Sequence, residues 1–175
     1  MKYLGAYPAA LHAQVAQLVA ENRLGAWLLE RYDRTHDIRT DRALYDYVNE
    51  LKSRFLRNAE PLSKVAFDNK LHVIRHALGT HTTVSRVQGS RLKSKREIRV
   101  ASLFKDVPIE WLRMIVVHEL AHMKEREHDK AFYQLCAHME PDYHQFELHL
   151  RLYLTHLDGG GGGLWAPDAP APAQA

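Results

Sequence analysis

One helical segment, "PIEWLRMIVVHELAHMKE", has the apolar content of a buried helix yet carries polar side chains on the face it should bury. Pro108 stands where the first turn of a helix tolerates proline, so it predicts the helix start. Trp111 and Ile115 begin an apolar stripe at helical spacing. His118 and His122 continue that stripe at spacings of three and four residues. Most core helices avoid such residues there, so this segment constrains the fold more than any other.

The stripe contains an H-E-x-x-H pattern, which is typical of metallopeptidases. Side chains four residues apart on a helix have Cβ atoms about 5–6 Å apart, so His118 and His122 can bind the same metal ion. Glu119 is rotated about 100° from His118 around the helix axis, beside the ion but outside its ligand set. There it can take a proton from an attacking water and pass it to a leaving group. The alternative is that both histidines are ordinary core or groove residues with satisfied polar atoms.

A catalytic zinc usually has three protein ligands, so a third side chain is needed. His128 is the natural candidate, but on a continuous helix it would lie about 9 Å further along the axis and could not reach the ion. The helix must therefore bend or end within "MKERE", although those residues favour helix. The rivals for the third position are Glu140, His144 and Glu147 on the following segment.

The stretch "VVHELAHMKEREHDKAFYQLCAHMEPDYHQFELHLRLYL" resembles the YgjP-like metal-dependent hydrolases, small zincin-type proteins related to the SprT and WLM metallopeptidases. In that family H-E-L-x-H is followed by a further histidine and an aromatic pair. The matching positions here are His118, Glu119, Leu120, His122, His128, Phe132 and Tyr133. The resemblance implies Zn²⁺ bound by the three histidines, general acid/base work by Glu119, and a peptidase-like site.

The remaining patterns predict an α+β, zincin-like fold. N-terminal helices pack on a small, mainly antiparallel sheet, followed by the H-E-x-x-H metal helix and C-terminal helices. The first helical segment is interrupted at Gly25, and a later one is capped by Thr40. Short strand-like runs separated by turn residues fill the region from 63 to 104. Residues 1–157 are expected to form a single domain, and residues 158–175, rich in Gly, Pro and Ala, a flexible tail.

The run "REIRVASLF", residues 96–104, alternates as a strand does and ends shortly before Pro108. We expect this strand to lie beside the metal cleft. If its edge is exposed, an extended peptide could add to it as a further strand, which would hold the scissile carbonyl near the ion. The alternative is a central strand with both edges already paired.

Composition narrows the functional classes. The 175 residues carry a formal net charge of +3, from 24 Lys and Arg against 21 Asp and Glu. Nucleic-acid binding is therefore permitted but expected to be weak, with the cations concentrated in "RLKSKRE". Cys136, the single cysteine, favours a reducing compartment. The sequence has neither a signal-peptide pattern nor an apolar run of roughly 20 residues, so we expect a cytoplasmic protein without a membrane span.

Two classes of function remain. The first is a zinc-dependent metallopeptidase that cleaves peptide or unfolded protein substrates with Glu119 as general acid/base. The second is a nucleic-acid-associated module with a structural zinc site, and a DNA-linked protein protease would combine the two. Glu119 distinguishes them, because a structural site has a fourth protein ligand and no use for an acid/base at an open position.

Overall fold

The structure, a computed structural model, describes residues 2–71 and 96–165. These residues form six α-helices, two β-strands and a short 3-10 helix. In chain order the elements are α1 (Ala9–Ala20), α2 (Leu24–Leu29), α3 (Asp41–Phe55), β1 (Lys64–Asp68), β2 (Glu97–Ala101), the 3-10 helix (Ser102–Asp106), α4 (Ile109–Ala121), α5 (Lys130–Met139) and α6 (Tyr143–Asp158). The predicted combination of helices with a small sheet is confirmed.

Two of the described helices begin at side-chain caps that the sequence indicates. The Thr40 hydroxyl accepts a hydrogen bond of 3.2 Å from the backbone N–H of Ala43 and so caps α3, as predicted. An Asp129 carboxylate oxygen likewise accepts from the N–H of Phe132 at 3.0 Å and caps α5. Each oxygen satisfies an N–H that has no partner within the first turn of its helix.

The interruption between α1 and α2 lies at Asn22, so the prediction of a break at Gly25 is wrong. Asn22 has a φ of 54°, in the left-handed region that asparagine tolerates better than most residues. Gly25 lies inside α2 and is buried. A Cβ atom there would come within 2.9 Å of the His156 ring. A larger residue at this position would have to displace the His156 ring of α6, which packs against α2 here.

The prediction of a mainly antiparallel sheet is wrong for the described sheet. β1 and β2 pair in parallel, with Lys64 opposite Glu97 and Asp68 opposite Ala101. Parallel neighbours need a long crossover, and the segment from 69 to 96 is long enough to supply one. The other strand-like runs of the region from 63 to 104 lie almost wholly within 72–95, outside the described residues. β2 is also shorter than predicted, because the chain turns into the 3-10 helix at Ser102.

Helix α4 lies at the centre of the core. Trp111, Leu112, Val116, Val117 and Leu120 are fully buried along it. A helix that is apolar on nearly all sides must be surrounded by other elements. Here α3, α5, α6, β2 and the 3-10 helix all contact it. Within residues 2–71 and 96–165, no helix is long and apolar enough to cross a membrane.

Within the predicted flexible tail, residues 158–175, Trp165 is buried. Its side chain is only 4% exposed, and its ring centroid lies 5.1 Å from those of both Trp111 and Tyr153. Its indole N–H donates a 2.7 Å hydrogen bond to the carbonyl oxygen of Tyr32. The core therefore includes the chain as far as Trp165, and residues 166–175 lie outside the described part.

Candidate metal centre

Three histidine rings meet with their Nε2 atoms at the corners of a small triangle. The Nε2 atoms of His118 and His122 are 3.2 Å apart, those of His122 and His128 are 3.0 Å apart, and those of His118 and His128 are 3.1 Å apart. In the described part of the chain, these residues are the group of side chains that could hold a metal ion. The structure thus brings together the three residues predicted as ligands.

His128 reaches the triangle because α4 ends early. The helix stops at Ala121, His122 is its C-cap residue, and a turn follows. The His122 Nδ1 atom lies 3.0 Å from the carbonyl oxygen of Glu125, within that turn. The chain then returns toward the triangle before Asp129 starts α5. The helix thus ends just before "MKERE", the segment in which a bend or end was predicted, and that segment forms the turn although it contains neither Gly nor Pro.

A buried tyrosine contacts the ring nitrogen of His118 that lies away from the triangle. Its side chain is 2% exposed, and its Nδ1 atom lies 2.7 Å from the hydroxyl oxygen of Tyr143, which is 1% exposed. Tyr143 opens α6, 25 residues further along the chain. Sequence patterns did not identify Tyr143, because spacing along one helix carries no information about a contact between two helices. The only available signal was general: a metal-binding histidine needs a partner for its other nitrogen.

Phe132 supplies the apolar side of the triangle. It is fully buried on α5. Its ring centroid lies 4.9 Å from that of His118, 4.5 Å from that of His122 and 4.8 Å from that of His128. Contact with all three imidazoles restricts their rotation and keeps water from that side.

The three other candidates for the third ligand make different contacts. The Glu140 carboxylate is buried and forms an ion pair with Arg113. Glu147 pairs with Arg151 across one turn of α6 at 2.9 Å. His144 is exposed, and its ring packs beside aromatic rings of Tyr133 and Tyr143. His128, favoured in the sequence analysis, is the residue that meets His118 and His122.

Glu119 opens onto a cleft of about 110 Å³ next to the triangle. The cleft is lined by Leu62, Arg96, Glu97, Ile98, Glu119, His122 and Met123. Strand β2 therefore forms one wall, which confirms the expected position of this strand beside the histidines. Burial raises the pKa of the Glu119 carboxyl to about 7, because removal from water disfavours the charged form.

The donor set fits a divalent metal ion. Three nitrogens about 3.1 Å apart are close enough for His118, His122 and His128 to hold one ion at the roughly 2.0–2.1 Å zinc–nitrogen distance. The carbonyl oxygen facing Nδ1 of His122 can only accept, so that nitrogen carries the proton and its Nε2 lone pair faces the triangle. Imidazole nitrogens suit zinc and other first-row transition metals.

Comparison with known proteins agrees with this centre. Residues 82–153 match the model of the YgjP-like metallopeptidase domain. The chain is 59% identical over 160 residues to a protein of Escherichia coli (strain K12) named UTP pyrophosphatase, covering 91% of this chain and 96% of that protein. No solved structure matches the chain. With similarity along nearly its whole length, the chain belongs to the YgjP-like family of metal-binding hydrolases.

Proposed function

We propose that this protein is a zinc-dependent hydrolase whose ion is held by His118, His122 and His128. The observation that carries the proposal is the convergence of three Nε2 atoms beside a cleft that contains a carboxylate. When bound, the metal supplies a Lewis acid that polarises the bond to be cleaved and lowers the pKa of water. Three protein ligands leave a position open for substrate and water, as catalytic zinc sites require.

Glu119 is the proton carrier of this proposal. It follows His118 directly, so its carboxylate lies beside the triangle and outside the set of three nitrogens. It accepts a proton from the attacking water and returns that proton to the leaving group. The partly closed cleft strengthens its electrostatic interactions, because little water is present to screen them.

For the substrate, we propose a nucleoside triphosphate, specifically UTP. The support is the name of the E. coli relative, which is 59% identical to this chain. Attack of water at the α-phosphorus would break its bond to the bridging oxygen and yield UMP and pyrophosphate. The water proton would pass through Glu119 to the pyrophosphate. Uridine triphosphate is highly anionic, and the chain carries a net charge of +3.

Arg96 supports an anionic substrate because it brings a cation to the same cleft as Glu119. Its Nε atom donates a 3.0 Å hydrogen bond to Glu60. A guanidinium has five N–H donors, so this bond does not exhaust its capacity. Paired N–H groups of arginine match phosphate oxygens well. We therefore propose that Arg96 contacts the phosphates.

Peptide hydrolysis is the second candidate. Two observations favour it: the matching family model describes a metallopeptidase domain, and β2 lines the cleft. In the described residues β2 pairs with β1 along one edge. An extended peptide that paired with the other edge would pass near Glu119. In peptide hydrolysis Glu119 would again take a proton from the attacking water, but it would pass that proton to the leaving amine.

A structural zinc site in a nucleic-acid-associated module agrees less well with the geometry. Structural zinc is almost always held by four protein ligands. Within residues 2–71 and 96–165, the candidate metal cluster has three members. A carboxylate beside that cluster would have no function in a closed site.

One assay separates the two substrate classes. The zinc-loaded full-length protein is incubated with UTP, the other nucleoside triphosphates and an unfolded protein such as casein. Pyrophosphate, UMP and new peptide ends are measured in parallel. We expect pyrophosphate and UMP in equal amounts from UTP. Peptide ends without pyrophosphate would overturn the nucleotide proposal, and the absence of every product would overturn the hydrolase proposal.

Arg96→Lys and Arg96→Ala test the phosphate contact, with Arg34→Ala as the matched control. Arg34 is an exposed arginine outside the cleft. We expect the Arg96 variants to raise KM for UTP, because a phosphate contact is lost, while zinc content stays at the wild-type level. An unchanged KM in Arg96→Ala would exclude that contact.

A further inference from the structure

The buried pair of His118 and Tyr143 decides which nitrogen of His118 carries the proton. A neutral imidazole has one N–H and one lone pair, and only the nitrogen with the lone pair can bind a metal. The Nε2 atom of His118 faces the other two histidines, and its Nδ1 atom lies 2.7 Å from the Tyr143 hydroxyl. The two rings are nearly parallel, with an angle of 17° between their planes. The tautomer of His118 therefore depends on this hydroxyl.

The Tyr143 hydroxyl does not by itself determine the tautomer of His118, whereas a backbone carbonyl determines the tautomer of His122. The carbonyl oxygen of Glu125 can only accept, so it forces the proton of His122 onto Nδ1. The Tyr143 hydroxyl can either accept from His118 or donate to it. If it donates, the proton of a neutral His118 lies on Nε2, and the lone pair needed for a metal is blocked. A second contact of the hydroxyl is therefore required to set its direction.

Cys136 provides that second contact. Its side chain is fully buried on α5. Its thiol lies close to the Tyr143 hydroxyl, and each group shifts the pKa of the other. If the sulfur accepts a hydrogen bond from the Tyr143 O–H, a lone pair of the oxygen remains for the Nδ1–H of His118. The order that leaves the Nε2 lone pair for a metal is Nδ1–H of His118 to the Tyr143 oxygen, and the Tyr143 O–H to the sulfur of Cys136.

We propose that Tyr143 is a positioning residue of the metal centre: its hydroxyl accepts the Nδ1–H of His118 and so keeps the Nε2 lone pair directed at the metal. The inference rests on the metal site of the proposed function but not on its substrate. Both side chains are almost fully buried, so no bulk water can replace the hydroxyl. Removal of the hydroxyl takes away the acceptor for the Nδ1–H of His118, so the proton can lie on either nitrogen.

The test is Tyr143→Phe, which keeps the ring and removes the oxygen. Zinc affinity is measured by competition with a coloured chelator. Loss of an outer partner of a metal-binding histidine typically weakens metal binding about 10–100-fold, and we expect a loss in that range. The tautomer is measured without metal, from long-range ¹H–¹⁵N NMR correlations of the His118 ring. We expect the Nδ1–H form in the wild-type protein and a mixture of tautomers in the variant.

The matched control is Tyr153→Phe. Tyr153 is also a buried tyrosine on α6, but it packs in the cluster with Trp111 and Trp165, away from the three histidines. Its variant should keep the wild-type zinc affinity and His118 tautomer. A zinc affinity for Tyr143→Phe within about twofold of the wild-type value, with an unchanged tautomer, would overturn the proposal.

Two further variants apply if Tyr143→Phe does not fold. Cys136→Ala removes the acceptor for the Tyr143 proton, whereas Cys136→Ser supplies an oxygen in place of the sulfur. We expect a shifted His118 tautomer in the alanine variant and the wild-type tautomer in the serine variant. An unchanged tautomer in the alanine variant would overturn the proposal.

These readouts separate the failure of this inference from that of the proposed function. If the wild-type protein hydrolyses UTP while Tyr143→Phe binds zinc normally, the inference fails and the function stands. If the wild-type protein binds no zinc, the proposed function fails. The NMR tautomer of the metal-free protein then still decides whether Tyr143 holds His118.

Discussion

The Nδ1 atom of His122 lies 3.0 Å from the carbonyl oxygen of Glu125, in the turn directly after α4. One hydrogen bond thus orients a ring of the histidine triangle and stabilises the turn that carries the chain back toward it. The turn ends where Asp129 caps the next helix. The position of His128 is therefore a product of the helix end as much as of the motif.

We expect His128→Ala to weaken zinc binding by more than the roughly 10–100-fold that follows from loss of an outer hydrogen-bond partner. The reason is that it removes a direct ligand. Zinc affinity and stoichiometry are measured by chelator competition and elemental analysis. His144→Ala is the control, because His144 is exposed beside the site and should not affect binding. Normal binding by His128→Ala, with binding abolished in Glu140→Ala or Glu147→Ala, would assign the third ligand to another residue.

Glu119→Gln should keep zinc and the fold but lose hydrolysis. An amide retains the shape of the carboxylate and cannot take a proton from water. General acid/base catalysis commonly contributes about 10²–10⁴-fold, so kcat should fall by a factor in that range. Turnover is measured on whichever substrate the wild-type protein cleaves, at equal zinc content. Turnover of the variant comparable with that of wild type would rule out Glu119 as the proton carrier.

Cys136 should resist thiol reagents in the folded protein. Burial raises the pKa of its thiol to about 12, whereas an exposed cysteine ionises near about 8.5. At pH 8 the folded protein should therefore react with a chromogenic disulfide far more slowly than the denatured protein, because the thiolate is the reactive form. Equal rates in both states would contradict the burial of Cys136.

The raised pKa of the Cys136 thiol also predicts how the free energy of unfolding changes with pH. The folded state keeps the Cys136 proton to higher pH than the unfolded state does. This contribution to the free energy of unfolding is complete below about pH 8.5 and is lost as pH rises toward 12. Denaturant unfolding between pH 8 and pH 10.5 measures it. The wild-type protein should lose more stability over this range than Cys136→Ala does, and equal losses would contradict the shift.

Trp165→Ala should destabilise the protein by about 3–5 kcal/mol, the usual cost of truncating a large buried aromatic side chain. It removes the packing on Trp111 and the hydrogen bond to the Tyr32 carbonyl. Val19→Ala is the control, since Val19 is 44% exposed and its change should stay within about 0.5 kcal/mol. Denaturant unfolding measures both, and similar midpoints would show that Trp165 contributes little.

Nucleic-acid binding should be weak and sensitive to salt. A net charge of +3 suggests few phosphate contacts, so the slope of log affinity against log salt should be shallow. Fluorescence anisotropy with a labelled duplex at several salt concentrations measures that slope. A tight, sequence-specific complex at physiological salt would favour the nucleic-acid-associated alternative.

The local features of the site could be predicted from the sequence. Thr40 and Asp129 cap helices as their chemistry requires, and the spacing of His118 and His122 places them on one face. A third ligand at His128 required the helix to end where helix-forming residues occur. That conflict was correctly identified because a continuous helix could not bring the three nitrogens together.

Features that depend on distant contacts could not be predicted. Tyr143 meets His118 only because α6 packs against α4. Trp165 follows a run of glycines that reads as a flexible tail, and only the space beside Trp111 explains its burial. The parallel pairing of β1 and β2 could not be predicted from short strand-like runs with turn residues between them, because the pairing direction depends on the path of the connecting segment.

Because β1 and β2 pair in parallel, the two parts of the site form through contacts of very different sequence separation. His118 and His128 are ten residues apart, so their contact closes a short loop. The Ser63 side chain instead donates to the Arg96 carbonyl, 33 residues away, where the strand that walls the cleft begins. Contacts between distant residues cost more loop-closure entropy and tend to form later. During folding, the histidine triangle can therefore assemble before β2 is in place as a wall of the cleft.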